Sequence, residues 1–123
     1  MDVFFAIAAG LSVINAALHT VLGGREVAVP LKATNDLDPV AKWVAYYCWH
    51  LVTIVLWSMA AAFAWLSCVG FEFGLSLVLL ALSGGFALGG LALPKAVGMS
   101  YKAMPQGCLF VPVFLCGLAG IVF

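Results

Sequence analysis

The 123-residue chain carries very little charge. Five Lys or Arg residues and five Asp or Glu residues make up only 8% of it, and the formal net charge is zero. About a quarter of a typical soluble domain is charged. So few charges cannot keep a chain that is 66% apolar in water, which excludes a soluble monomer and a disordered tail. The lack of a basic excess also argues against nucleic acid as a partner.

Several chemical motifs are also missing. The four cysteines are far apart and form no C-x-x-C pair, so we expect free thiols rather than a metal or redox centre. No serine, cysteine or lysine stands in a recognisable arrangement with a base and an orienting acid, and no strand precedes a phosphate-binding glycine loop. The sequence therefore gives little support to an enzymatic function.

Long stretches without any charged residue are what the chain has in abundance. Each is at least 21 residues long, and a helix needs about 20 apolar residues to cross a bilayer. They lack the alternating pattern of barrel strands. The four stretches are 3–24, 43–71, 73–94 and 103–123. The sequence predicts an all-α membrane protein, a single four-helix transmembrane domain over residues 1–123 in an antiparallel bundle. The predicted helices are about 3–22, 41–67, 73–93 and 105–122.

Glycine and proline predict where these helices end. The Gly23-Gly24 pair can end the first helix in a left-handed cap. Asp38-Pro39 supplies an N-cap followed by proline at the first helical position of the second helix. Pro94 is expected to close the third helix. These boundaries leave two longer loops, at about 23–40 and 94–104.

Packing signals lie in the second half of the chain. The very short turn around Gly70 predicts that the second and third helices are antiparallel neighbours. Pro112 lies inside the fourth helix and is expected to kink it, leaving a free carbonyl one turn earlier. A small-residue face on the third helix, formed by Ala81, Gly85 and Gly89, predicts close packing on a partner helix within or outside the chain.

The basic residues predict the orientation. All of them fall in the first and third loops, and the positive-inside rule places these loops in the cytoplasm. They are Arg25, Lys32, Lys42, Lys95 and Lys102. Both termini are therefore expected outside, and we expect an integral protein of the bacterial inner (plasma) membrane, in contact with the lipid bilayer.

Polar side chains within the apolar stretches suggest a binding site. Asn15 and His19 share one face of the first helix, while His50 lies in an aromatic cluster of the second and Gln106 begins the fourth. Glu26 is expected close to His19. These five residues predict a polar pocket in the cytoplasmic leaflet. Polar groups in membrane helices often mark function, but they also serve for packing alone.

Three functions are compatible with this sequence. The histidine pair, His19 and His50, can bind a small ligand, haem b or a metal ion. The chain can instead be a non-catalytic accessory subunit that packs against a membrane-protein partner. It can also be a small homo-oligomeric transporter or channel, although proton-coupled exchange is disfavoured because no carboxylate falls inside a predicted span.

Overall fold

The computed structural model describes residues 1–123, and every regular element in it is a helix. Three helices are long and apolar enough to cross a membrane, and the fourth is a shorter apolar helix of 17 residues. The helices are α1 (Val3–Ala33), α2 (Pro39–Val69), α3 (Phe73–Ala96) and α4 (Gln106–Val122). The predicted all-α class is confirmed, with boundaries within three residues of those expected everywhere except at the end of α1.

Helix α1 does not end at the Gly23-Gly24 pair, so this predicted boundary is wrong. Neither glycine has a positive φ, and the helix continues through a π-helical segment, His19–Ala28, to Ala33. Glycine permits a left-handed cap but does not require one. Pro30 has no N–H to satisfy and lies at N1/N2 of the short α-helical end, where it costs little. Most of the loop expected at 23–40 is therefore helical.

Acidic side chains cap three of the helices. Asp38 accepts hydrogen bonds from the backbone N–H groups of Val40 and Ala41, at 2.9 and 3.3 Å, which confirms the start predicted for α2. Asp2 and Glu72 act in the same way at the starts of α1 and α3. Each cap satisfies N–H groups that have no partner within the helix.

Glycine and proline have different effects at the other helix ends. Helix α2 ends at Gly70, whose φ of 85° is the left-handed conformation that favours glycine. Pro94 does not close α3, which continues for two residues to Ala96. Proline restricts the residue before it more than the residues after it, so it is tolerated in a last turn.

Helix α1 lies between α2 and α4, and α3 packs mainly on α4. Helices α2 and α3 make few contacts although a very short turn joins them, so the neighbours expected from that turn separate along their length. The core contains Phe5, Met59, Phe63, Leu66 and Val113, all almost completely buried. Packing of α1 between two helices thus builds the centre of the protein.

Helices α3 and α4 approach each other at a pair of glycines. A Cβ atom built on Gly90 would overlap the backbone of Gly107, and the reverse also holds. The predicted small-residue face takes no part in this contact. Its members Ala81, Gly85 and Gly89 are exposed, and a Cβ on either glycine would meet open space. Packing within the chain therefore uses the side of α3 next to this face.

Candidate functional site

A cavity of about 570 Å³ lies at the end of the protein that carries the α3–α4 connection. All four helices line it, and so does the segment that leads into α4. Most of its walls are apolar, with side chains such as Leu56, Phe86 and Phe110. The polar or indole side chains that line it are Asn15, His19, Glu26, Trp49, Lys102 and Gln106.

The cavity contains four of the five residues expected at a site: Asn15, His19, Glu26 and Gln106. His50 does not line it. The His50 ring is exposed and packs edge-on against Tyr46 and Trp49, with centroid distances of 4.6 and 5.0 Å. Successive residues of a helix point about 100° apart, so the turn that brings Trp49 to the cavity directs His50 away from it.

The cavity therefore offers one imidazole rather than two. A bis-histidine haem needs two imidazoles on opposite faces of one iron, and the lining residues do not supply them. No group of three or more His, Cys, Asp or Glu side chains is arranged to hold a metal ion. All four cysteines are free, and none of them lines the cavity.

The His19 ring is held by helix α2. It stacks on the Trp49 indole, with a centroid distance of 4.8 Å and an angle of 20° between the planes. His19 Nε2 lies 3.1 Å from Thr53 Oγ1 and 3.4 Å from the Trp49 carbonyl oxygen. Thr53 Oγ1 already donates its hydrogen to that carbonyl, at 3.0 Å.

These contacts assign the tautomer of His19. The Trp49 carbonyl oxygen, 3.4 Å from Nε2, can only accept a hydrogen bond. We therefore assign the hydrogen of the neutral ring to Nε2, with the Thr53 hydroxyl donating to the same carbonyl and accepting from Nε2. In the neutral ring, Nδ1 is then an acceptor, and no group of the chain donates to it.

Asn15 connects α1 to helix α4. Its side chain is buried, and Nδ2 donates to the carbonyl oxygen of Leu109 at 2.9 Å. Leu109 lies three residues before Pro112, in the turn where proline disturbs the helical hydrogen bonds. Because Nδ2 faces this carbonyl, the Asn15 Oδ1 atom stays without a partner in the chain.

Trp49 and Gly23 complete the wall around His19. The Trp57 indole donates to Thr20, whereas the N–H of the Trp49 indole has no acceptor in the chain. A Cβ built on Gly23 would lie 3.7 Å from Trp49 Nε1 and 3.9 Å from His19 Nδ1. Gly23 therefore leaves open the space that faces both nitrogen atoms.

Sequence reasoning identified His19 and Asn15 but missed their supports. Trp49 and Thr53 are four residues apart and so share a face of α2, which is the signal that could have assigned them to the site. Lys102, at the rim, lies in a loop, where no helical spacing could place it. The π-helical segment has no signal that distinguishes it from an ordinary helix end. No family model, curated protein or solved structure matches this chain.

Proposed function

We propose that this chain is an integral membrane protein that binds a small amphipathic molecule in the cavity between its four helices. The observation that carries the proposal is the cavity itself. Its volume of about 570 Å³ is within the range of small-molecule sites, roughly 300–1,000 Å³. It also has their usual composition, with apolar walls and a few polar groups that can fix the orientation of a ligand.

The outer surface supports placement in lipid. Large apolar side chains are exposed on all sides, for example Ile54 and Trp65 at 62% and Leu88 at 72%. Water would disfavour so much contiguous apolar surface, whereas lipid tails solvate it. In the proposed arrangement α4 also crosses the bilayer, whose hydrocarbon core is thinner around this 17-residue helix.

The proposed orientation has both termini outside and the cavity in the cytoplasmic leaflet. The backbone N–H of Asp2 donates to the Ser67 carbonyl at 2.8 Å, so α1 begins beside the end of α2. The basic residues lie towards the opposite end, which the positive-inside rule assigns to the cytoplasm. Twenty residues from Val3 reach Leu22, so His19 lies where the hydrocarbon ends. A ligand there can keep an apolar body in the lipid and a polar head near water.

Thermal unfolding of the detergent-purified protein tests the proposal, with 4-hexylphenol as the probe. A probe that binds only the folded state stabilises it by about 2.7 kcal/mol at 100 times its Kd, so the unfolding midpoint should rise. Val52 lines the cavity, whereas Ile54 faces outwards. The rise should disappear in Val52→Phe, which fills the cavity, and persist in Ile54→Phe. An equal rise in all three proteins, or no rise in any, would contradict the proposal.

Self-association through α3 is a second candidate function, because the small-residue face is exposed and open. Ala81, Gly85 and Gly89 allow another helix to approach closely, and a second copy of this chain offers the same face. Light scattering of the protein in mild detergent should then give a dimer. Gly85→Leu should yield a monomer, and Ala64→Leu, at an exposed position of α2, should not. A wild-type monomer would exclude this function.

A further inference from the structure

We infer that the molecule bound in the cavity is an uncharged amphipathic alcohol or phenol, whose hydroxyl group lies between His19 and Trp49. This inference rests on the proposed function and names the class of ligand. It depends on two unpaired nitrogen atoms of opposite hydrogen-bonding character. His19 Nδ1 accepts and Trp49 Nε1 donates, and both face the space left open by Gly23.

A hydroxyl group satisfies both nitrogens through a single oxygen atom. It can donate its hydrogen to His19 Nδ1 and accept the hydrogen of Trp49 Nε1. A carbonyl or ether oxygen can only accept, and an ammonium group can only donate, so each leaves one of the two nitrogens without a partner. A polar group that the bound ligand covers and leaves unpaired weakens binding. The site therefore discriminates against ligands that lack a group able to donate and accept.

The absence of a side chain at position 23 makes this contact possible. An atom at the position of a Gly23 Cβ would lie 3.7 Å from Trp49 Nε1 and 3.9 Å from His19 Nδ1, so both nitrogens border the same open space. A larger residue would occupy the place of the hydroxyl group. Gly24 differs, since it does not line the cavity and a Cβ there would meet only a carbon atom of the Trp49 ring, at 4.0 Å.

The remaining lining groups favour a neutral ligand with an apolar body. The two charged residues at the cavity, Glu26 and Lys102, have opposite signs, so neither an anionic nor a cationic head group is selected by net charge. Asn15 Oδ1 gives a second acceptor on a side chain that is only 6% exposed. A second hydroxyl group on the same ligand can donate to it. The rest of the wall is apolar and suits a ring or an alkyl chain.

Quenching of Trp49 fluorescence by brominated probes tests the inference. The variant W43F/W57F/W65F keeps Trp49 as its single tryptophan. The two probes are 2-bromo-4-hexylphenol and its methyl ether, which keeps the acceptor oxygen and loses the hydrogen. Both are titrated into reconstituted protein, and their concentrations are expressed as mole fractions in the membrane. The phenol should quench half of the signal at about one tenth of the ether's concentration.

His19→Phe and Gly23→Leu, made in the same background, should each abolish this tenfold preference. Gly24→Leu is the matched control and should keep it. Equal quenching by both probes in the parent protein would overturn the inference but leave the proposed function intact. A complete lack of saturable quenching would overturn both. If Gly24→Leu also loses the tenfold preference, the preference depends on the general shape of the helix and not on the space at Gly23. That result would also overturn the inference.

Discussion

The contact between α3 and α4 predicts very different effects for alanine at two adjacent glycines. A Cβ on Gly90 would lie 2.5 Å from the Cα of Gly107, whereas a Cβ on Gly89 would have nothing within 4 Å. Carbon atoms in ordinary contact are about 3.5–4.0 Å apart, so Gly90→Ala must separate the helices by about 1 Å. The atoms that clash belong to the backbone, and no change of rotamer can relieve the overlap.

The pair of variants isolates the cost of this overlap. Alanine improves helix propensity by up to about 1 kcal/mol at either position, and this gain cancels in the comparison. Overpacking typically costs about 1–3 kcal/mol. We expect Gly90→Ala to be less stable than Gly89→Ala by about 3 kcal/mol, at the upper end of that range because backbone atoms are involved. Unfolding titrations with dodecyl sulfate in mixed micelles, followed by circular dichroism, measure the difference. Equal stabilities would refute the described approach of α3 to α4.

Two further predictions concern the link between α1 and α4 and the orientation of the chain. Asn15→Leu removes the donor to the Leu109 carbonyl and should reduce the free energy of unfolding by about 1–3 kcal/mol in the same titration; an unchanged value would exclude this hydrogen bond. Cys48 and Cys68 lie towards opposite ends of α2, and both are exposed. In single-cysteine variants, a membrane-impermeant maleimide added to intact cells should label Cys68 but should label Cys48 only after permeabilisation. The reverse pattern would invert the orientation.

The sequence predicted the helices well where a physical requirement left one solution. In lipid, the backbone N–H and C=O groups of an apolar run can all be hydrogen-bonded only in a helix or a closed barrel, and the lack of strand alternation leaves the helix. Asp38-Pro39 combines a cap with a residue that suits the first turn of a helix. The Gly23-Gly24 pair failed as a helix end because glycine permits several backbone conformations. The hydrogen bonds that the backbone forms in the folded chain decide among these conformations, and amino-acid composition does not encode those bonds.

The site was predictable to the level of helix faces but no further. Spacing placed Asn15 and His19 on one face of α1, and the structure brings both to the cavity. For α2, the face that meets α1 depends on how the two helices are rotated about their axes. A rotation of one residue exchanges Trp49 for His50, and both residues are compatible with an interface. The expected pairing of two histidines therefore depended on information that a single sequence does not contain.

The π-helical segment also fixes the direction in which the end of α1 faces. Hydrogen bonds to the fifth residue back turn the chain by a smaller angle per residue than those of an α-helix. Over His19–Ala28 this difference accumulates, and it sets the rotational phase of every residue that follows. Lys32 consequently lies over the ring of Tyr46, with Nζ 5.2 Å from the ring centroid. The π-helical segment that brings His19 and Gly23 to the cavity thus also sets the place where Lys32, four residues beyond its end, meets α2.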